Sequence, residues 1–147
     1  MDVVDIGTIH LEIDVSKTTE FYEKADTFIC DCKDCKNYVS KIEIVRQSLN
    51  GLDSKLGIDL LKAVGIGMDE LMPHDYDDHH LYVVPYYIFG TCAVGGQELK
   101  AKSHDRIQHK IDDTVSIEFV ESSYEPWLFE TERALTMWIE FKTPLVE

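Results

Sequence analysis

The chain has 147 residues, 44% apolar and 29% charged, which places it with single globular domains rather than disordered or fibrous chains. Its 28 Asp and Glu against 14 Lys and Arg give a net charge of −14, a field that repels nucleic acid and anionic membranes and favours basic proteins or cations. No apolar run reaches the roughly 18 residues of a membrane span, and Met1 to Val15 lacks the basic and apolar regions of a secretory leader. The expectation is a cytoplasmic protein with no membrane association and no nucleic-acid partner.

The first element is a strand. Ile9, Leu11, Ile13 and Val15 alternate with Thr8, His10, Glu12 and Asp14, the period of a strand with one buried face. Thr18 to Tyr22 reads as a short partner strand. A cysteine cluster follows: Cys30, Cys32 and Cys35 form C-x-C-x-x-C, and Cys92 is the remaining cysteine. Three readings of it stay open. A C-x-x-C knuckle presents two thiolates to a tetrahedral zinc ion, with Cys30 joining if the chain turns there and Cys92, His74, His79 or His80 closing the shell. Alternatively, Cys32-Lys33-Asp34-Cys35 opens a helix whose N-terminus and Lys33 would lower a thiol pKa, the chemistry of a thiol–disulfide oxidoreductase, with Val84-Pro85-Tyr86 as the proline segment beside the dithiol. The third reading is packing, since free cysteine behaves as a small buried side chain.

The run Cys30-Asp31-Cys32-Lys33-Asp34-Cys35-Lys36-Asn37-Tyr38 resembles a motif in a group of small uncharacterised bacterial proteins. There a C-x-C-x-x-C-x-N-aromatic run precedes a helix, a Gly-Ile-Asp segment and aromatic strands, and Gly57-Ile58-Asp59 and Tyr82 to Phe89 follow in that order here. The resemblance covers the middle third of the chain. It implies a bacterial, cytosolic origin and carries no activity with it.

From Asp34 to Leu49 the spacing predicts a helix, because Tyr38, Ile42, Val45 and Leu49 fall on one stripe, Asp31 or Asp34 can cap it and Asn50-Gly51 stops it. A second helix is expected over Ser54 to Val64, ended by Gly65-Ile66-Gly67. Met72 to His80 reads as a polar loop. Its Pro73-His74-Asp75-Tyr76-Asp77-Asp78-His79-His80 is dense in metal-ligand types, but a calcium loop counted from Asp75 needs Gly and Glu where His80 and Tyr86 stand. Leu81 to Val94 is apolar on both faces and reads as one central strand, or as two broken at Pro85 or Gly90. Gly90 to Gly95 has the glycine spacing of a phosphate loop, yet Gly96 and Gln97 replace the Lys and Ser or Thr that bind phosphate and magnesium. Gly95 to Ala101 is a loop.

Lys100, Lys102, His104, Arg106, His109 and Lys110 form the one basic stretch, read as pairing with the chain's own acids. Val115, Ile117 and Phe119 form a strand, and so do Leu135, Met137, Ile139 and Phe141. Between them, Trp127 and its aromatic neighbours have the character of an interface anchor or of core residues folded back. Basic residues are absent between Lys62 and Lys100 and again between Lys110 and Arg133, and if those stretches share a face the result is an anionic patch including Asp75, Asp77 and Asp78.

The whole predicts one α+β domain across residues 1–147: a mainly antiparallel sheet with two helices inserted between early and late strands. The function expected is a non-enzymatic interaction domain whose anionic surface engages a basic protein, of the immunity-inhibitor type, with zinc as the cofactor the cysteines suggest. The alternative is a thiol–disulfide oxidoreductase, and a metal-dependent hydrolase on His74 to His80 stands third.

Overall fold

The computed structural model describes residues 2–24, 33–62, 74–75, 79–94, 97–98, 107–121 and 134–144. Alternation dominates it. Strand β1 (Asp2–Ile6) and β2 (Ile9–Ile13) form an antiparallel hairpin that places Val4 opposite Leu11. β2 buries Ile9, Leu11 and Ile13 and exposes His10 and Glu12, as its period demands. β1 escapes sequence reading because Asp2-Val3-Val4-Asp5-Ile6 does not alternate; pairing with β2, rather than its own pattern, makes it a strand.

The first strand ends two residues early. Asp14 accepts a hydrogen bond from the Lys17 N–H (3.0 Å) and its carbonyl accepts one from the Thr18 N–H (3.0 Å), which is a helix N-cap. Helix α1 (Val15–Lys24) therefore takes in the Thr18 to Tyr22 segment expected as a strand. Thr18 and Tyr22, four apart, are its buried face.

Helix α2 (Lys33–Leu49) buries the expected stripe of Tyr38, Ile42, Val45 and Leu49, and Asn50 and Gly51, both at positive φ (51° and 88°), stop it. Helix α3 (Leu52–Leu56) starts earlier and ends sooner than the second helix expected. Gly57, at φ 78°, turns the chain so that its N–H reaches the Ser54 carbonyl and the Ile58 N–H reaches that of Asp53. Described helices thus number three, not two. Residues 63–67, where the second helix was expected to end, lie outside the described set.

The remaining strands are β3 (His74–Asp75), β4 (His79–Val94), β5 (Gln97–Glu98), β6 (Ile107–Lys110), β7 (Val115–Glu121) and β8 (Ala134–Pro144). The sheet runs β1-β2-β4-β8-β7-β6, antiparallel throughout, with β3 and β5 also pairing β4. β3 and β5 fall where loops were expected, and β4 takes in His79 and His80 from the first of them.

β4 is unbroken, and both suspected breakpoints have a reason to be there. Residues 79–89 pair with β8 without a register shift, and residues 90–94 pair with β2 on the other edge. At the changeover a Cβ on Gly90 would lie 2.2 Å from the Glu12 carbonyl oxygen, so only glycine lets β2 approach. Pro85 is explained by parity. The Lys142 N–H bonds the Thr114 carbonyl on the β7 side, so even residues of β8 point to β7 and odd ones to β4. Their partners Tyr82, Val84 and Tyr86 carry the ladder with β8, and the odd residues of β4, Pro85 among them, aim their backbone at the opposite edge. A residue without N–H costs nothing there.

One face of the sheet makes the core. Tyr82, Phe141 and Val115 form one row across three strands, Val84, Ile139 and Ile117 the next, and Tyr86, Met137 and Phe119 the third, all buried. α2 covers this face, with the Tyr38 ring 6.0 Å from that of Tyr82 and 5.8 Å from that of Phe141. The sheet curls around its contents: a Cβ on Gly7, in the β1–β2 turn, would come 3.1 Å from His109 on β6.

Candidate functional site

Residues with polar chemistry gather in three places. The first is dry. Tyr22, Tyr38, Tyr82 and Tyr86 are buried between the helices and β4, and their hydroxyls are all engaged. Tyr22 donates to the Tyr87 carbonyl (2.8 Å), Tyr86 to the Leu60 carbonyl (2.7 Å), Tyr38 bonds the Tyr86 hydroxyl, and the Tyr82 hydroxyl accepts from Asn37 (2.7 Å). Burial raises the pKa of Tyr22, Tyr38 and Tyr86 well above the ordinary phenol value, with the Asp59 charge adding to it. These phenols stay protonated at neutral pH and serve as structural donors, not as bases or nucleophiles.

The second place is the end of the sheet where β4 begins. There Asp75 on β3 lies opposite His80, His80 opposite Thr143 on β8, and Lys142 bonds the β6–β7 turn of residues 111–114. At about 4.8 Å per strand, Asp75 and the turn are separated by roughly 15 Å. Asp112 and Asp113 in that turn are exposed. The Asp112 carboxylate is held below its usual pKa by a hydrogen bond from Ser48 of α2 and by the N–H groups of Val115 and Thr114, each at 2.8 Å. Lys110 pairs with Asp113 at 3.0 Å, as expected of the basic stretch. One member from each base-free stretch therefore sits at one end of the sheet.

The third is a cleft of about 450 Å³ between the three helices, with Arg46, Asp53, Asp59 and Lys62 among its lining. Sequence reading missed it. Nothing in the spacing of an ordinary helix arginine, a short-helix aspartate and a turn says that they converge.

The expected site residues fare unequally. Cys30, Cys32, Asp77, Asp78 and Trp127 lie outside the described residues, and Cys35 is placed only by its backbone on α2. Cys92 is a fully buried thiol on β4, opposite Leu11. It is ten residues along the strand from Tyr82, which meets α2 through Asn37; that is on the order of 30 Å. His79 and His80 lie within three residues of Tyr82 on the same strand, and Cys30 and Cys32, the other expected ligands, lie outside the described residues. Among the described residues no group of three His, Cys, Asp or Glu side chains could hold a metal ion. Pro85 pairs with Trp138, which puts its side chain on the sheet face opposite α2, and the Cys32 it was expected to flank lies outside the described residues.

Among the described residues, no helix is long and apolar enough to cross a membrane. No family model matches the chain, and no curated protein and no solved structure matches it either.

Proposed function

We propose that the chain is a non-enzymatic interaction domain that presents the acidic end of its sheet to a basic protein, in the manner of an immunity-type inhibitor. The observation that carries this reading is the convergence of Asp75 with Asp112 and Asp113 through β4 and β8. Charges on residues whose backbones lie roughly 15 Å apart reinforce one another incompletely at physiological salt, where the screening length is about 8 Å, and strongly at low salt. They steer a cationic partner and set its orientation more than they add to affinity. The adjoining turn is rigid, because Asp112 ties its own backbone and α2 together, so the charges are fixed before a partner arrives.

The test is binding to polylysine over a range of salt concentrations. The expected result is a steep loss of affinity as salt rises, and a shallower slope with several-fold weaker binding for the triple variant Asp75→Asn, Asp112→Asn, Asp113→Asn. Asparagine keeps an acceptor oxygen for the turn, so the fold is retained. Salt-insensitive binding, or a variant indistinguishable from the parent, rules the reading out.

A further inference from the structure

We propose that the cleft between the helices is a second, separate binding site, one for a small zwitterion of the amino-acid type. The argument begins with Asp53. It stands in the first turn of α3, is 8% exposed, and opens into the cleft. A carboxylate so far withdrawn from water needs partners, and its sole ionic neighbour among the described residues is the Arg46 Nε at 3.8 Å, beyond hydrogen-bond length. Arg46 in turn is held by Glu43 through one arm and lines the cleft, with its side chain 44% exposed. A carboxylate and a guanidinium therefore lie side by side without closing a bond between them.

A ligand carrying an ammonium and a carboxylate a few ångströms apart completes both. Its ammonium donates to Asp53, and its carboxylate accepts from Arg46 in the charge-assisted geometry that guanidinium favours. A simple amine would have Arg46 and Lys62 against it, and a simple acid would have Glu23, Asp53 and Asp59 against it. Only the dipolar ligand meets favourable charge at both ends.

The rest of the cleft suits such a guest. Its volume lies within the range of roughly 300–1,000 Å³ usual for small-molecule pockets. Ile58, Leu60 and the Tyr22 ring supply an apolar floor, the Tyr22 hydroxyl being spent on the Tyr87 carbonyl. Lys62 donates to the Tyr22 carbonyl at 2.5 Å, which fixes one wall and leaves its positive charge at the cleft. The walls are preformed: a Cβ on Gly57 would lie 2.7 Å from the Thr19 Oγ1, so α1 and the end of α3 are already in contact.

The test is calorimetric titration of the full chain with each of the common free amino acids. The tightest binder is then compared with its amide, which lacks the carboxylate, and its N-acetyl form, which lacks the ammonium. The expected result is binding at millimolar concentration or below, with a loss of at least about tenfold for each blocked form. The same loss is expected for Arg46→Gln and for Asp53→Asn, each shown to be folded by its far-ultraviolet circular dichroism. Equal binding of either blocked form, retained binding by Arg46→Gln, or no binding of any amino acid overturns the proposal. A dipeptide bound as tightly as the free amino acid would identify a peptide terminus, whose charges stand further apart, and overturns it as well.

Discussion

The two edges of β4 are held by different means. Along one, residues 79–89 are zipped to β8 by an uninterrupted backbone ladder. Along the other, β2 pairs only as far as Gly90, and two side chains of α1 take over where it leaves. Thr18 sits between strand and helix: its hydroxyl accepts the Phe89 N–H (3.1 Å) and donates to the Asp14 carbonyl (2.9 Å), while Asp14 itself bonds the Phe89 carbonyl (2.9 Å). Two residues back, Tyr22 satisfies the Tyr87 carbonyl. A ladder depends on backbone geometry and tolerates most side chains. An edge held by a helix depends on the identity of a few residues, and a single substitution can orphan a buried backbone group.

Proline scanning should break the comparison most strongly. Val84 aims its N–H at β8, so Val84→Pro removes a ladder bond and is expected to cost on the order of 3 kcal/mol or more. Val83 aims at the other edge, where no strand is paired with it among the described residues, and Val83→Pro should cost about 1 kcal/mol or less. Equal losses in urea melts would show that the parity assignment is wrong.

Thr18→Val keeps the shape of the side chain and deletes the hydroxyl that accepts from the Phe89 N–H. A loss of about 1–3 kcal/mol is expected, and Tyr22→Phe should fall in the lower half of that range because a carbonyl tolerates a missing bond better than an N–H. Amide exchange at Phe89 gives the sharper readout. It should accelerate in Thr18→Val and stay protected at Tyr86, whose backbone belongs to the ladder.

Alkaline titration tests the same buried hydroxyls without a substitution. The folded pKa of Tyr22 is raised, so its contribution is complete below the unfolded value near 10 and declines as pH rises beyond it, by about 1.4 kcal/mol per unit. Tyr38 and Tyr86 act in the same direction. Tyrosinate absorbance for these three should therefore appear together with unfolding. Early ionisation in a folded chain would mean that the hydroxyls are not held as described.

Much of the fold was legible in the sequence because alternation and helical stripes are local. Ile9 to Ile13, Val115 to Phe119 and Leu135 to Phe141 declare their buried face through side-chain order alone, and Tyr38 to Leu49 does so at helical period. Thr18 to Tyr22 was misread for an equally local reason: its β-branched and aromatic residues favour a strand, and the Asp14 cap that starts a helix outweighs them. β3 and β5, two residues each, have no pattern to read and exist only by pairing with β4.

The candidate sites were less legible. The cysteine motif stands out in sequence, yet Cys30 and Cys32 lie outside the described residues, and Cys92 sits ten residues along β4 from the Tyr82 that meets α2. The sequence by itself determined an acidic α+β domain, its apolar rows and its charge imbalance, since these follow from residue type and short-range period. The tertiary structure decided that Asp75 meets the Asp112 turn and that Arg46 meets Asp53, because both meetings depend on strand order and helix packing, which join residues many positions apart.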